Sequence, residues 1–214
     1  MFKLFFKKNL NRLSFHDGND RTIPGLVLLL VMLAPGILSG CATAVVGAAA
    51  AGASVVHDRR STGIMIDDQE IELRALQLKH DHPEITARSD ISTTSYNLIV
   101  LLTGQAESPQ VAAQFADMIS RLPRVRKVHN EVKTGAELTL TESTNDAYLT
   151  SRAKVALFNV DVPDFDPSRI KVVTSNETVY LMGLVTHREA EAASEKVRFI
   201  SGVKHVVKVF EYID

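Results

Sequence analysis

The residues in this chain best equipped for chemistry are few and scattered. One cysteine, Cys41, occurs in 214 residues. A lone cysteine cannot close an internal disulfide, which leaves a buried thiol, an intermolecular partner or an attachment point. His80 and His82 stand two apart in "HDH". Two ligands leave most of a tetrahedral metal shell empty, so the pair reads as a solvated helix end. The acidic stretch "DVPDFD" (161–166) lacks the turn glycine and twelfth-position glutamate of a calcium loop, and reads as a cap and link. There is no P-loop, no G-x-S-x-G and no dinucleotide fingerprint. An active site needs convergent groups, and none converge here. The chain reads as a non-enzyme without cofactor, metal or small-molecule substrate.

The setting of Cys41 favours attachment. Lys3, Lys7, Lys8, Arg12 and Arg21 outweigh Asp17 and Asp20 in the first 21 residues. "IPGLVLLLVMLAPGILSG" (23–40) is then apolar throughout and ends in small residues, the plan of a secretory signal. Pro24-Gly25 and Pro35-Gly36 interrupt it, so it suits a permanent membrane helix less well. Leu38-Ser39-Gly40-Cys41 resembles the bacterial lipobox, in which a branched apolar residue and two small ones precede an acylated cysteine. That resemblance implies a mature chain starting at Cys41 with three acyl chains, more than the two signals stable anchoring takes. Ala42, rather than aspartate, follows; by resemblance to enterobacterial lipoproteins this implies sorting to the outer membrane, with the chain facing the periplasm.

Residues 41–214 carry 19 Lys and Arg against 23 Asp and Glu. That balance excludes a nucleic-acid protein on bulk charge. The small-residue tract "ATAVVGAAAAGASVV" (42–56) reads as a pliable tether, with Asp58, Arg59 and Arg60 marking its emergence into water.

The remainder divides into two matching halves. "NLIVLLTGQAE" (97–107) lies over "NETVYLMGLVT" (176–186), with Gly104 over Gly183. "LPRVRKVHNEV" (122–132) lies over "ISGVKHVVKVF" (200–210), with Val125 over Val203 and Val128 over Val206. Each half reads helix, strand, strand, helix, strand. The first helix, 67–79, turns Ile71, Ala75 and Leu78 to one face; its counterpart offers Leu149, Ala153 and Ala156. The second helices, 108–122 and about 187–200, offer Ala112, Ile119 and Leu122 against Ala190, Val197 and Ile200. Ser108 and Pro109 are start signals. Thr144-Asn145-Asp146 are good caps for the second half's first helix.

A glycine closing an apolar strand, an alanine-rich helix and a "(G)V-x-x-V" block resemble the BON domain, a small αββαβ module of bacterial envelopes. "SGVKHVVKVF" (201–210) is a close match to its last block. In the first copy Pro123-Arg124 replace Ser201-Gly202, which predicts a turn of different shape. The expected architecture is α+β: two tandem αββαβ domains, each a three-stranded sheet on two helices, behind a signal peptide and a lipidated tether. The boundaries are 1–40 signal, 41–66 tether, 67–135 first domain, 136–143 linker and 144–214 second domain.

One helix face stands out. At 100° per residue, Tyr148 and Val155 fall together, about 120° from the centre of the second domain's core face. Arg152 lies between them and the core, and Lys154 toward the opposite flank. Tyrosine suits a membrane–water boundary, and each nearby cation adds on the order of 1 kcal/mol toward anionic headgroups. The alternative is that Tyr148 packs on the other domain or on the linker. BON-domain proteins are associated with phospholipid binding, so the resemblance implies the lipid reading: Tyr148, Arg152, Lys154 and Val155 contact an anionic phospholipid membrane in support of envelope integrity. The competing partner is an outer-membrane protein or assembly factor. The basic run Arg121, Arg124, Arg126 and Lys127 reads as a solvated edge.

Overall fold

The computed structural model describes residues 58–214; Cys41, the apolar segment 23–40 and the tract 42–56 lie outside the described residues. In the first half, α1 (Thr62–Asp81) and a single turn α2 (Pro83–Thr86) precede β1 (Ser89–Tyr96) and β2 (Ile99–Ala106). There follow α3 (Pro109–Ser120), β3 (Lys127–Asn130) and a two-residue β4 (Lys133–Thr134). The second half runs α4 (Leu140–Leu157), a 3-10 turn (Pro167–Arg169), β5 (Ile170–Ser175), β6 (Thr178–Val185), α5 (His187–Arg198) and β7 (His205–Tyr212).

Both first helices start earlier than their apolar spacing suggests, because a hydroxyl caps each one upstream. Ser61 accepts from the Ile64 N–H, so helix covers residues expected in the tether. Thr139 and Glu142 form a reciprocal capping box that starts α4 at Leu140. Thr144-Asn145-Asp146 are therefore not a cap. Asp146 lies inside the helix, buried, and accepts the N–H groups of Asn176 and Glu177 at 2.7 and 2.9 Å. Along α4 the core positions are Leu149, Ala153 and Leu157, whereas Ala156 is only half-buried.

Asp68 does the same for the first half, accepting from Asn97 N and Leu98 N, both at 2.8 Å. In each hairpin the two loop residues have positive φ: 52° and 65° at Asn97 and Leu98, 52° and 58° at Asn176 and Glu177. That is the left-handed pair a two-residue hairpin of the favoured twist requires. A buried helix carboxylate holding a strained hairpin is thus the unit the chain repeats.

Each sheet places its second strand centrally, antiparallel to the first and parallel to the last. Gly104, at φ +111°, lets β2 cross β1 closely; a Cβ there would lie 2.0 Å from the Asp90 carbonyl oxygen. The predicted difference at Pro123-Arg124 does not occur. Arg124 takes φ +73° where Gly202 takes +96°, so the turn keeps its shape. Its guanidinium meets Asp67 at 2.6 Å.

Both faces of the central strands are covered, which is why they read as continuous apolar runs instead of alternating ones. Val100 and Leu102 meet Ile71, Phe115 and Ile119 from the first pair of helices. Val179 and Leu181 meet Leu149, Ala193 and Val197 from the second pair. The opposite faces pack on each other: Tyr96, Ile99 and Leu101 share one core with Tyr180, Met182 and Val209. The sheets thus stack back to back with the helices outermost, in four layers. The Tyr96 hydroxyl donates to the Arg169 carbonyl at 3.0 Å, and Lys171 and Glu72 pair at 2.8 Å. Burial and the charge of Asp58 push the Tyr96 phenol up to about 12.

The segment entering the fold clasps this junction. Arg59 forks onto Glu189 at 2.6 and 3.0 Å and donates to the Leu184 carbonyl at 3.0 Å, all in the second half. Arg60 turns to the first half, meeting Asp68 at 2.8 Å with its guanidinium 3.8 Å from the Tyr96 ring centroid.

Candidate membrane interface

α4 lies on the outer surface of the second sheet, so any side chain opposite Leu149, Ala153 and Leu157 faces solvent. Tyr148 and Val155 are on that side, 55% and 64% exposed. Tyr148 takes no part in the core between the sheets, which is built from Tyr96 and Tyr180. Arg152 Nη1 donates to the Tyr148 hydroxyl at 3.3 Å, with its guanidinium 5.8 Å from the ring centroid. Tyr148, Arg152, Val155 and Ile200 line one shallow groove between α4 and the end of α5. Three of the four residues singled out from the sequence therefore come together.

Lys154 stands apart. It edges a second depression, with Leu157, Phe158, the capping Asp166 and the 3-10 turn residues Pro167 and Ser168. That depression brings forward a residue the sequence reading missed. Phe158 is 76% exposed and extends the Tyr148–Val155 stripe by three residues. Phe199 is a second omission. It is the C-cap of α5 and 74% exposed, beside the buried Ile200 of the first groove, with Arg198 4.8 Å from its ring centroid. The spacing 148, 155, 158 was a usable signal for Phe158. Phe199 carried none, because it follows a helix whose inner face is otherwise regular.

Aromatic and aliphatic side chains thus project from the outer layer, with Arg152, Lys154 and Arg198 around them. A ring interior to a bilayer surface with its polar atom at headgroup level is the arrangement such residues favour. The basic run of the first half is engaged elsewhere: Arg121 pairs with Asp117, Arg124 with Asp67, and Arg126 with Glu211 of β7. His82, of the "HDH" pair, meets Glu84 at 2.9 Å. Asp166 caps the 3-10 turn by accepting from Ser168 N. Among the described residues no group of three or more His, Cys, Asp or Glu is placed to hold a metal ion. No described helix is long and apolar enough to cross a membrane.

The BON domain model matches twice, over residues 67–136 and 145–214. The chain belongs to the BON-domain family. The outer membrane lipoprotein DolP of Haemophilus influenzae is 34% identical over 197 residues, 90% of this chain and all of that protein. The 21 kDa hemolysin of Actinobacillus pleuropneumoniae is 29% identical over 157 residues, 73% of this chain and 79% of that one. Among solved structures, the C-terminal domain of CdsD, a type III secretion structural protein of Chlamydia trachomatis, is 16% identical. It aligns over 69% of this chain and 67% of that one with a TM-score of 0.26.

Proposed function

We propose that this BON-domain protein is an outer-membrane lipoprotein, acylated at Cys41 and facing the periplasm, whose second domain binds anionic phospholipid and supports envelope integrity. The relative named as an outer membrane lipoprotein and the lipobox-like "LSGC" support the anchor. The observation that carries the lipid contact is the exposed stripe Tyr148, Val155 and Phe158, flanked by Arg152 and Lys154 on an outermost helix. Tyr148 and Phe158 enter the interface, Val155 fills the space between them, and the two cations meet headgroup phosphates. The stretch from Cys41 to Asp58 would span at most roughly 60 Å if fully extended, room enough for acyl chains and α4 to engage one bilayer. The two contacts then reinforce each other through effective concentration.

The test uses residues 58–214, which hold both cores, mixed with vesicles and pelleted. Binding to phosphatidylglycerol-containing vesicles and not to pure phosphatidylcholine is expected. Tyr148→Glu and Phe158→Glu should each remove it with circular dichroism unchanged. Binding that survives both substitutions overturns the site. The reading in which a protein docks on this face predicts no pelleting on any pure lipid.

A further inference from the structure

Because the chain repeats one unit, each domain is a control for the surface of the other. Matching the core positions pairs Ile71 with Leu149 and Ala75 with Ala153 on the first helices, and Ile119 with Val197 on the second. Carried outward, that register sets Glu70 against Tyr148, Gln77 against Val155, His80 against Phe158 and Arg121 against Phe199. The first-domain residue of every pair is polar, and the second-domain residue is aromatic or aliphatic. Tyr148, Val155 and Phe158 form the α4 stripe. Phe199 stands at the C-cap of the neighbouring helix, 74% exposed. The fold does not require a ring there. Arg121 caps α3 with nearly the same backbone, φ −88° against −86°, and pairs with Asp117.

Phe199 is continuous with the α4 surface. α4 and α5 pack against one another, and Ile200, the next residue, lines the groove shared by Tyr148, Arg152 and Val155. The turn that follows is pressed onto α4, where a Cβ at Gly202 would stand 3.1 Å from Leu149 Cδ2. The rest of α5 differs from its tip. Its outward side carries Arg188, Glu191 and Glu195 before it reaches Phe199, with Glu191 paired to Lys208 at 2.9 Å and Glu195 to Arg198 at 3.1 Å. Arg198 is committed to Glu195 and lies 4.8 Å from the Phe199 ring centroid, so what this corner offers a membrane is the ring.

We infer that Phe199 is a third aromatic anchor, entering the same anionic bilayer as Tyr148 and Phe158 while the N-terminal half of α5 stays above the headgroups; this rests on the membrane reading of α4. Two anchors on one helix leave the domain free to roll about that helix. A third on the neighbouring helix removes the roll and fixes which face of the second domain meets the membrane. The test pellets residues 58–214 with phosphatidylglycerol-containing vesicles. Phe199→Gln should weaken binding roughly tenfold or more, the order expected for keeping one aromatic ring out of an apolar phase, with circular dichroism unchanged. Phe199→Leu should keep most of the affinity. In a chain without tryptophan, Phe199→Trp should shift its emission to the blue when vesicles are added. Arg188→Trp, on the same side of α5 and about 16 Å back along it, should not shift. Wild-type affinity in Phe199→Gln, no shift at residue 199, or equal shifts at both positions overturns the inference and leaves the α4 contact standing. Failure of the unsubstituted chain to pellet overturns the membrane reading and this inference with it.

Discussion

Removing the carboxylate of Glu189 should weaken the fold more than removing the arginine that grips it. Glu189 has a side chain 4% exposed and accepts from Arg59 at 2.6 and 3.0 Å, from Thr186 N at 2.8 Å and from Arg169 at 3.4 Å. Glu189→Ala takes the two-pronged partner from Arg59, which is 25% exposed, and one of several contacts from Arg169, and it opens the capping box of α5. Breaking a buried pair by deleting one partner costs ~3–5 kcal/mol. Arg59→Ala leaves Glu189 with Arg169 and the helix cap, and should cost only ~1.5–3 kcal/mol. For a unit of this size 1 kcal/mol shifts Tm by about 2–4 °C, so thermal melts of residues 58–214 at pH 7 separate the two. Burial raises the Glu189 pKa, but the Arg59 hydrogen bonds and the Thr186 cap outweigh it and hold the group below its ordinary range. A depressed carboxylate gives stability that is complete above its unfolded pKa, about 4.3, and is lost as pH falls through the lower folded value. Wild type should therefore lose its advantage over Glu189→Gln below about pH 4. Equal or larger destabilisation by Arg59→Ala would refute the reasoning, as would an advantage that grows on acidification.

Further outcomes follow from the repeated hairpin and its glycine. Asp68 accepts from Asn97 N, Leu98 N, the Ser95 hydroxyl and Arg60, whereas Asp146 holds Asn176 N and Glu177 N. Asp146→Ala should cost ~2–4 kcal/mol and Asp68→Ala at least ~1 kcal/mol more, since each orphaned buried donor adds its own penalty; urea melts read both. Gly104→Ala combines left-handed strain of ~1–2 kcal/mol with overpacking of ~1–3 kcal/mol. Gly183→Ala, whose Cβ would lie 2.8 Å from the Arg169 carbonyl without a positive φ, should show the overpacking alone.

Much of this architecture is legible in the chain because local signals repeat. The aligned blocks "NLIVLLTGQAE" and "NETVYLMGLVT", their two glycines and the valine pairs set out both αββαβ halves before any contact is known. Helix starts were misjudged where apolar periodicity was used in place of caps, since Ser61 and Thr139 lie outside the apolar pattern. The stacking of the sheets was illegible for a different reason. A run such as "LIVLL" reports that both faces are buried and not what buries the second. The clasp is further still from view, because Arg59 finds Glu189 130 positions away. In the candidate site, Tyr148 and Val155 stood out because they break the polar face of a helix. Phe158 was missed at the helix end, where the core register also moves from Ala156 to Leu157.

The central claim, that α4 is the surface that meets lipid, is open to an unusually clean probe because the chain contains no tryptophan. A single Phe158→Trp substitution makes the only indole report on α4, and Leu76→Trp does the same on α1. With phosphatidylglycerol vesicles brominated in their acyl chains, the account predicts strong quenching at residue 158 and none at residue 76. Quenching at residue 76, or at neither position while the protein is bound, would contradict it.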